Sequence, residues 1–321
     1  MTATFKSTAF KSIRNVSWIW AALGSLVMWL LLGLFARNLN LESLIATATT
    51  ASFLAIVAMG QMLVVTTGRG AIDLSIPSLI TLGAYLSAGM SNGSNLNLVY
   101  VIPFALAVGG AIGLLNALIV LYLRIPPIIA TLGMGYIVTT IILIYNPLYR
   151  ATYIASLLVS ISRDRLFGVL PLIVIVAVAL AVLVALMFRY TRFGRSLTAL
   201  GQNLEAAQLS GIPVNLIQAV AYIISGVLAS FGGILISARV GGAFLGLGDP
   251  YLLETVGGVV VGGTLIFGGK AVPAGTFFGS LFLVLLVTAM QVAGMRIGGQ
   301  YIGEGLLIIL VLFLAASRST Q

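Results

Sequence analysis

The sequence predicts an all-α, polytopic membrane protein with about ten transmembrane helices, some of them broken or re-entrant. Of its 321 residues, 60% are hydrophobic and only 7% are charged, whereas charged residues make up about a quarter of a typical soluble domain. Five apolar runs each reach the roughly 20 residues that cross a hydrocarbon core: 17–35, 44–66, 97–122, 167–188 and 271–294. A water-soluble fold is therefore excluded, and we expect one membrane domain over residues 1–321.

Ten spans are expected in order along the chain. They lie at 17–35, 44–66, 74–90, 97–122, 126–145, 167–188, 213–237, 252–267, 271–294 and 300–317. The spans at 74–90, 126–145 and 252–267 are short, rich in glycine or opened by proline. Such segments in transporters are often broken or re-entrant helices that line a pathway, so these three are the expected irregular spans.

The first span follows Lys6, Lys11 and Arg14, so its basic flank resembles that of a signal peptide. Its apolar run is too long for a signal peptide, and no A-x-A-like cleavage site follows it. We therefore interpret it as a retained span with a cytoplasmic amino terminus.

The distribution of basic residues favours an orientation with both termini in the cytoplasm. The inner segments then hold Lys6, Lys11, Arg14, Arg69, Arg124, Arg189, Arg192, Arg195, Lys270 and Arg318, and the outer segments hold Arg37, Arg150, Arg163, Arg165, Arg239 and Arg296. The strongest local signal is RYTRFGR at 189–195, directly after a long apolar span. The outer loop 146–166 carries three of the outer basic residues and so weakens the charge asymmetry between the two sides. We expect a short interfacial helix within this loop.

The composition also excludes several classes of function. The chain has no cysteine and no histidine, so disulfides, thiol chemistry and zinc or haem sites with Cys or His ligands are absent. The net charge of +9 does not predict nucleic-acid binding, because basic residues in membrane proteins mostly flank the cytoplasmic ends of helices.

A polar segment with helical spacing, GRSLTALGQNLEAAQLSGIP at 194–213, interrupts the apolar sequence. Its apolar positions fall on one side of a helix, while polar positions occupy the other faces: the first set is Leu197, Leu200, Leu204 and Ala207, and the second is Gln202, Asn203, Glu205 and Gln208. Gly194 and Gly211 bracket this helix. It is either an amphipathic connector on the membrane surface or a docking helix for a soluble partner, and its length favours docking.

Four blocks of the chain resemble the permease subunits of bacterial ATP-binding cassette importers of the ribose, galactose, xylose and arabinose type. The blocks are GQNLEAAQLSGI (201–212), TTGRGAIDLSIPS (66–78), RIPPIIATLGM (124–134) and VVVGGTLIFGGKAVPAGTFFGSLF (259–282). In that family the first block forms the coupling helix that enters a cleft of the ATPase subunit. The coupling positions that the resemblance implies here, within segment 194–212, are Gly201, Asn203, Glu205, Ala206, Ala207 and Gly211.

The second block departs from the family pattern at Arg69-Gly70-Ala71 and at Ile76-Pro77. A proline at this point is compatible with the start of a helix, capped by Asp73 or Ser75. Arg69 is expected to meet lipid phosphates or an acidic partner surface. These departures bear on the solute more than on the fold.

The resemblance implies a passive permease subunit in the bacterial inner membrane rather than an enzyme. The expected partners are an ABC ATPase subunit, an extracytoplasmic solute-binding protein, a second permease chain that is identical or related, and the lipid bilayer, with no nucleic acid. The chain itself is expected to bind no cofactor, because ATP and Mg belong to the partner ATPase.

Neutral polar residues within the spans are candidates for a pathway that carries a sugar or sugar-like solute, although such groups also bridge neighbouring helices. With acidic and aromatic positions near helix ends, the candidate set is Gln61, Asp73, Asn116, Thr131, Phe244, Glu254 and Gln291. Seven glycine pairs, at 109–110, 232–233, 241–242, 257–258, 262–263, 268–269 and 298–299, are either sites of close helix approach or ordinary membrane-helix composition.

Two other functions are weighed against the importer. An ion-coupled secondary carrier is the stronger rival, because such folds use broken helices at their binding sites, but all seven acids fall in loops or near helix ends. The GLGD sequence at 246–249 matches the Gly-x-Gly-Asp of intramembrane aspartyl proteases, which also need a second aspartate facing the first. Only Asp73 and Asp164 are available for that position.

Overall fold

A computed structural model describes residues 17–35, 40–148 and 153–319. The basic positions Lys6, Lys11, Arg14, Arg37 and Arg150, and the side chain of Arg318, lie outside the described part of the chain. The α-helices are α1 Ser17–Phe35, α2 Leu41–Thr66, α3 Ile76–Ser91, α4 Leu98–Leu121, α5 Pro127–Tyr145, α6 Ser156–Arg163, α7 Leu172–Tyr190, α8 Arg192–Gln202, α9 Leu204–Leu209, α10 Val214–Val240, α11 Tyr251–Val261, α12 Pro273–Val292 and α13 Ile297–Ser319. A 3-10 turn covers Asn146–Leu148, and β1 Arg165–Leu166 pairs antiparallel with β2 Leu170–Pro171.

The all-α polytopic fold is confirmed, and each of the ten predicted spans contains a helix. Six helices, α2, α4, α5, α7, α10 and α12, are long and apolar enough to cross a membrane, and α1, α11 and α13 carry shorter apolar stretches. Of the three spans expected to be irregular, α3 and α11 are indeed short, with 16 and 11 residues. The third expectation is wrong, because α5 is a continuous helix of 19 residues.

Helices α2 and α10 lie at the centre of the bundle. Helix α10 packs against α2, α3 and α4, and α2 also contacts α7, α11 and α12. Within the apolar windows of these two helices, 89% and 67% of the residues are buried, against 22% for α7. Lipid tails are as apolar as leucine, so close packing and hydrogen bonds, rather than hydrophobicity, bring such helices together.

Glycines allow the closest of these approaches. A Cβ at Gly109 of α4 would lie 2.5 Å from the Gly226 carbonyl oxygen of α10, and a Cβ at Gly83 of α3 would lie 2.5 Å from the Ser230 carbonyl oxygen. By contrast, a Cβ at Gly242 or Gly298 would meet nothing within 4 Å. Close approach therefore explains some of the glycine pairs but not those at 241–242 and 298–299.

The polar segment between α7 and α10 forms two helices, not the single helix that the sequence predicts. Asn203 breaks it, because its backbone is extended (φ −156°) and its Oδ1 accepts from the Ala206 N–H at 3.0 Å as the N-cap of α9. Helix α8 begins earlier than expected, since Thr191 caps it by accepting from the Gly194 N–H. Gly211 ends the segment with a φ of +77°, a conformation that favours glycine.

The short helix expected in the outer loop is α6. Arg163, at its end, donates two hydrogen bonds to the Arg239 carbonyl oxygen at the end of α10. Arg165, in β1, forms an ion pair with Glu42 in the first turn of α2. These contacts tie the loop to the end of the bundle opposite α8 and α9.

Candidate functional site

The apolar side of the α8–α9 segment packs on the bundle. Leu197, Leu200 and Ala207 are buried, and Leu204 is partly buried against the same cluster. That cluster also contains residues of α2, α7 and α10. The stripe predicted from the sequence therefore anchors the segment to three membrane helices.

The opposite side of α9 is open. Asn203, Glu205, Ala206 and Gln208 are exposed, and the side chain of Leu209 is 90% exposed. Leu209 was not among the coupling positions inferred from the sequence, although it is the one leucine of the segment that falls off the apolar stripe. Together these residues form a short helical face with an apolar side chain at its end.

A polar groove of about 380 Å³ runs beside this face. Three stretches line it: 67–69 after α2, 200–205 at the α8–α9 junction, and Phe267 in the loop before α12. Arg69 and Glu205 both line it and are exposed, and neither forms an ion pair with a described residue. The groove thus presents a cation and an anion that the described residues leave available to a partner.

Gly201 is the point at which the three stretches meet. A Cβ there would overlap the Thr66 carbonyl oxygen and the Gly269 backbone nitrogen. The Gly269 N–H donates to the Thr66 carbonyl at 3.1 Å, and the Gln202 side chain donates to the Gly269 carbonyl at 3.3 Å. Only glycine fits at position 201 without separating these backbones.

Four of the seven predicted pathway residues form a buried network in the centre of the bundle. Gln61 accepts from the Asp73 N–H, and Thr131 accepts from the Leu74 N–H. Asn116 donates to the Ser75 hydroxyl at 2.8 Å. All four side chains are at most 1% exposed, so in this conformation they bridge α2, α4, α5 and segment 67–75.

Two other predicted residues, Glu254 and Gln291, line a cavity of about 380 Å³ among α2, α10, α11 and α12, at the end of the bundle opposite α8 and α9. Thr50, Thr288 and Tyr251 line it as well. Phe244 does not line it and is exposed in the loop between α10 and α11. The structure thus assigns four of the seven predicted pathway residues to a buried network and two to this cavity, whereas Phe244 belongs to neither.

The expectation that every acid lies in a loop or near a helix end needs correction at Glu304. This residue is the eighth of α13 and is 3% exposed, and its Oε2 has no hydrogen-bond partner among the described residues. Asp73 does lie in a loop, but that loop is inside the bundle and Asp73 is 1% exposed.

Comparison with known proteins defines the family. Residues 43–316, from α2 into α13, match the family described as branched-chain amino acid transport system / permease component. The chain belongs to this permease family. No solved structure matches the chain.

Relatives of this permease are named for galactose, ribose and autoinducer 2. The chain is 33% identical over 312 residues to the galactose/methyl galactoside import permease protein MglC of Haemophilus influenzae, covering 88% of this chain and 90% of the relative. It is 36% identical over 261 residues to the ribose import permease protein RbsC of Escherichia coli, with 80% of each chain covered. It is also 31% identical over 279 residues to the autoinducer 2 import system permease protein LsrC of Yersinia enterocolitica, covering 86% and 76%.

Membership of the permease family supports the importer over the ion-coupled carrier. The geometry of the aspartates also does not suit a protease. Asp249 is exposed in a turn closed by its N–H to the Gly246 carbonyl, whereas the Asp73 carboxylate is occupied by Ser75 and Ser225. These two acids therefore do not form the facing pair that shares a proton in aspartyl proteases.

Proposed function

We propose that the chain is the transmembrane permease subunit of an ATP-driven, binding-protein-dependent importer and forms its pathway for a sugar or sugar-like solute. The observation that carries the proposal is the α9 face with its adjoining groove. It combines an anchored helix, an exposed leucine and two charges that pair with no described residue, at one end of the bundle. A permease needs such a docking surface because the ATPase subunit supplies the energy of transport.

The distribution of charge supports an orientation with α8 and α9 in the cytoplasm. Six exposed basic residues flank helices at this end: Arg69, Arg124, Arg189, Arg192, Arg195 and Lys270. At the opposite end the described basic residues are Arg163, Arg165, Arg239 and Arg296, and acids accompany them at Glu42, Asp164 and Asp249. By the positive-inside rule, this asymmetry supports the proposal that the α8–α9 end and both chain termini lie in the cytoplasm.

The cavity lined by Glu254 and Gln291 lies on the outer side in this orientation, and its lining favours a neutral solute over a branched-chain amino acid. Its polar lining offers a carboxylate from Glu254, an amide from Gln291 and hydroxyls from Thr50, Thr288 and Tyr251. No Lys or Arg is among the described residues that line it, whereas an amino acid needs a partner for its own carboxylate. Carboxylate, amide and hydroxyl groups suit the hydroxyls of a sugar, in line with the relatives named for galactose and ribose.

The remaining partners follow from this function. An extracytoplasmic binding protein would deliver the solute to the outer cavity, and a second permease chain, identical or related, would complete the pathway. Each permease would dock one ABC ATPase subunit at α9. ATP and Mg would be bound by that subunit, so this chain would hold no cofactor of its own.

The test is co-purification of the tagged chain from its own host in mild detergent, with mass spectrometry of bound subunits and an assay of vanadate-sensitive ATPase activity. We expect an ABC ATPase and a binding protein in the complex. Replacement of Glu205 or Gly211 should abolish uptake while expression and capture of the binding protein persist. Asp164→Asn, at an exposed acid of the opposite end, is the control and should leave uptake unchanged. A solitary chain, in a detergent known to preserve such complexes, would contradict the proposal.

A further inference from the structure

Segment 67–75 joins the groove to the buried network. Helix α2 ends at Thr66 and α3 begins at Ile76, so the chain between them is not helical. The segment starts at Thr67 and Gly68, which line the groove, and ends at Asp73 and Ser75 inside the bundle. It therefore runs from the α8–α9 surface to the centre of the helix packing.

At the groove, the segment is held by contacts of backbone on backbone. A Cβ at Gly68 would lie 3.3 Å from the Gly201 carbonyl oxygen, and a Cβ at Gly268 would lie 3.1 Å from that same oxygen. Flexible side chains do not separate these three backbones. A displacement of α8 and α9 is therefore passed to the start of the segment rather than absorbed.

At its other end, inside the helix bundle, the segment is held by the Asp73 carboxylate. One oxygen accepts from the Ser75 hydroxyl at 2.6 Å and from the Ser75 N–H at 3.0 Å, and the other accepts from the Ser225 hydroxyl at 2.8 Å. Ser225 belongs to α10, the helix that contacts α2, α3 and α4. Asn116 of α4 reaches the same group through Ser75. Movement of the segment is therefore linked to α10 directly and to α4 through one intermediate residue.

The network has unused hydrogen-bonding capacity. Gln61 Nε2, Asn116 Oδ1 and the Tyr222 hydroxyl are buried and have no partner among the described residues. Buried polar groups are nearly always paired, and leaving one unpaired destabilises the arrangement that does so. Gln61 Nε2 and the Tyr222 hydroxyl are donors and the Asp73 carboxylate is an acceptor, so these two groups could bond Asp73 in a shifted position. A second arrangement of this kind is what a two-state coupling element requires.

We propose that Asp73 is a positioning residue that transmits movement of α8 and α9 to the helix bundle through its hydrogen bond with Ser225. The inference rests on the proposed function, since it requires an ATPase that moves α8 and α9. The proposed route links ATPase docking on the cytoplasmic side to binding-protein contact on the opposite side. It does not require that Asp73 contact the solute.

The test compares two serine replacements in one helix. Ser225→Ala removes the bond to Asp73, and the matched control Ser230→Ala removes a hydroxyl bond of the same length, 2.8 Å, to the Ala105 carbonyl. Both serines are buried in α10. The readout is ATP hydrolysis by the co-purified complex in lipid nanodiscs, with and without the co-purified binding protein. In Ser225→Ala, we expect the factor by which the binding protein raises ATP hydrolysis to fall at least fivefold, while basal hydrolysis and the yield of the complex stay unchanged. In Ser230→Ala, we expect this factor to stay at the unmodified level.

Equal stimulation in the two variants would overturn the inference while leaving the proposed function in place. Absence of any stimulation in the unmodified complex would also overturn the inference, whereas the proposed function is overturned by a chain that purifies without an ATPase. If the Ser225→Ala chain fails to assemble into the complex, the same assay is made with Asp73→Asn and Asp73→Ala. Asparagine keeps the shape of the aspartate side chain and its contact with Ser225, whereas alanine loses both. Stimulation that is retained by Asp73→Asn and lost in an assembled Asp73→Ala complex supports transmission. Stimulation at the unmodified level in both Asp73 variants refutes transmission through Asp73.

Discussion

Replacement of Leu209 by alanine probes the docking surface without disturbing the fold. The Leu209 side chain is 90% exposed at the end of α9, so the fold gains little from its burial, and Leu209→Ala should change the free energy of unfolding by less than about 0.5 kcal/mol. If an ATPase cleft covers the side chain, docking buries it almost entirely. Full burial of a leucine contributes about 1.5–3 kcal/mol, which corresponds to a loss of ATPase affinity of roughly 10- to 150-fold.

The assay is a titration of purified ATPase subunit onto the chain in nanodiscs, accompanied by thermal unfolding of the free chain. Leu96→Ala is the matched control, since Leu96 is 79% exposed and lies between α3 and α4, in a loop that bonds to α6 at the opposite end. We expect unchanged ATPase affinity for Leu96→Ala. An affinity of Leu209→Ala within twofold of that control would refute the assignment of this face to docking.

Three further predictions concern local structure. Asn203→Ala should remove the N-cap of α9 and lower helix stability by about 1 kcal/mol, seen as faster amide exchange in 204–209 with exchange in α4 unchanged. Gly109→Ala should force α4 away from the Gly226 backbone and destabilise the chain by about 1–3 kcal/mol in thermal unfolding; an unchanged melting temperature would contradict this packing. Glu42→Gln should leave the melting temperature nearly unchanged, because the side chains of its pair with Arg165 are 61% and 34% exposed and solvent screens their attraction; a clear fall in melting temperature would contradict this.

The α8–α9 segment shows how far the sequence predicts the candidate site. The apolar stripe of Leu197, Leu200 and Ala207 was predicted and is buried, because helical spacing places such residues on one face wherever the helix lies. The break at Asn203 was not predicted, although asparagine favours an N-cap over a helix interior, because the helical spacing of Leu200, Leu204 and Ala207 continues across it. The exposure of Leu209 also depended on this break, because the break sets the direction of α9.

For the buried pathway residues, the sequence indicates which positions matter but not which groups they contact. Gln61, Asn116 and Thr131 were recognised as polar positions in apolar helices, where each is equally suited to a solute or to a neighbouring helix. The structure shows their hydrogen bonds to segment 67–75 and to Ser75. These partners come from segments far apart in the chain, and periodicity within one helix carries no information about them.

The sequence alone predicts that the chain is a helical membrane protein and that a polar segment interrupts its helices. It also predicts most helix bounds to within about three residues, the exceptions being the start of α7 and the end of α11. These properties depend on local composition and spacing, which hydrocarbon thickness and helix geometry translate directly into structure. The junction of Gly68, Gly201 and Gly269, and the bond from Ser225 of α10 to Asp73, become visible only in the folded chain. Such meetings are set by how helices pack, and in a bilayer that packing depends on small residues and buried hydrogen bonds contributed from several helices at once.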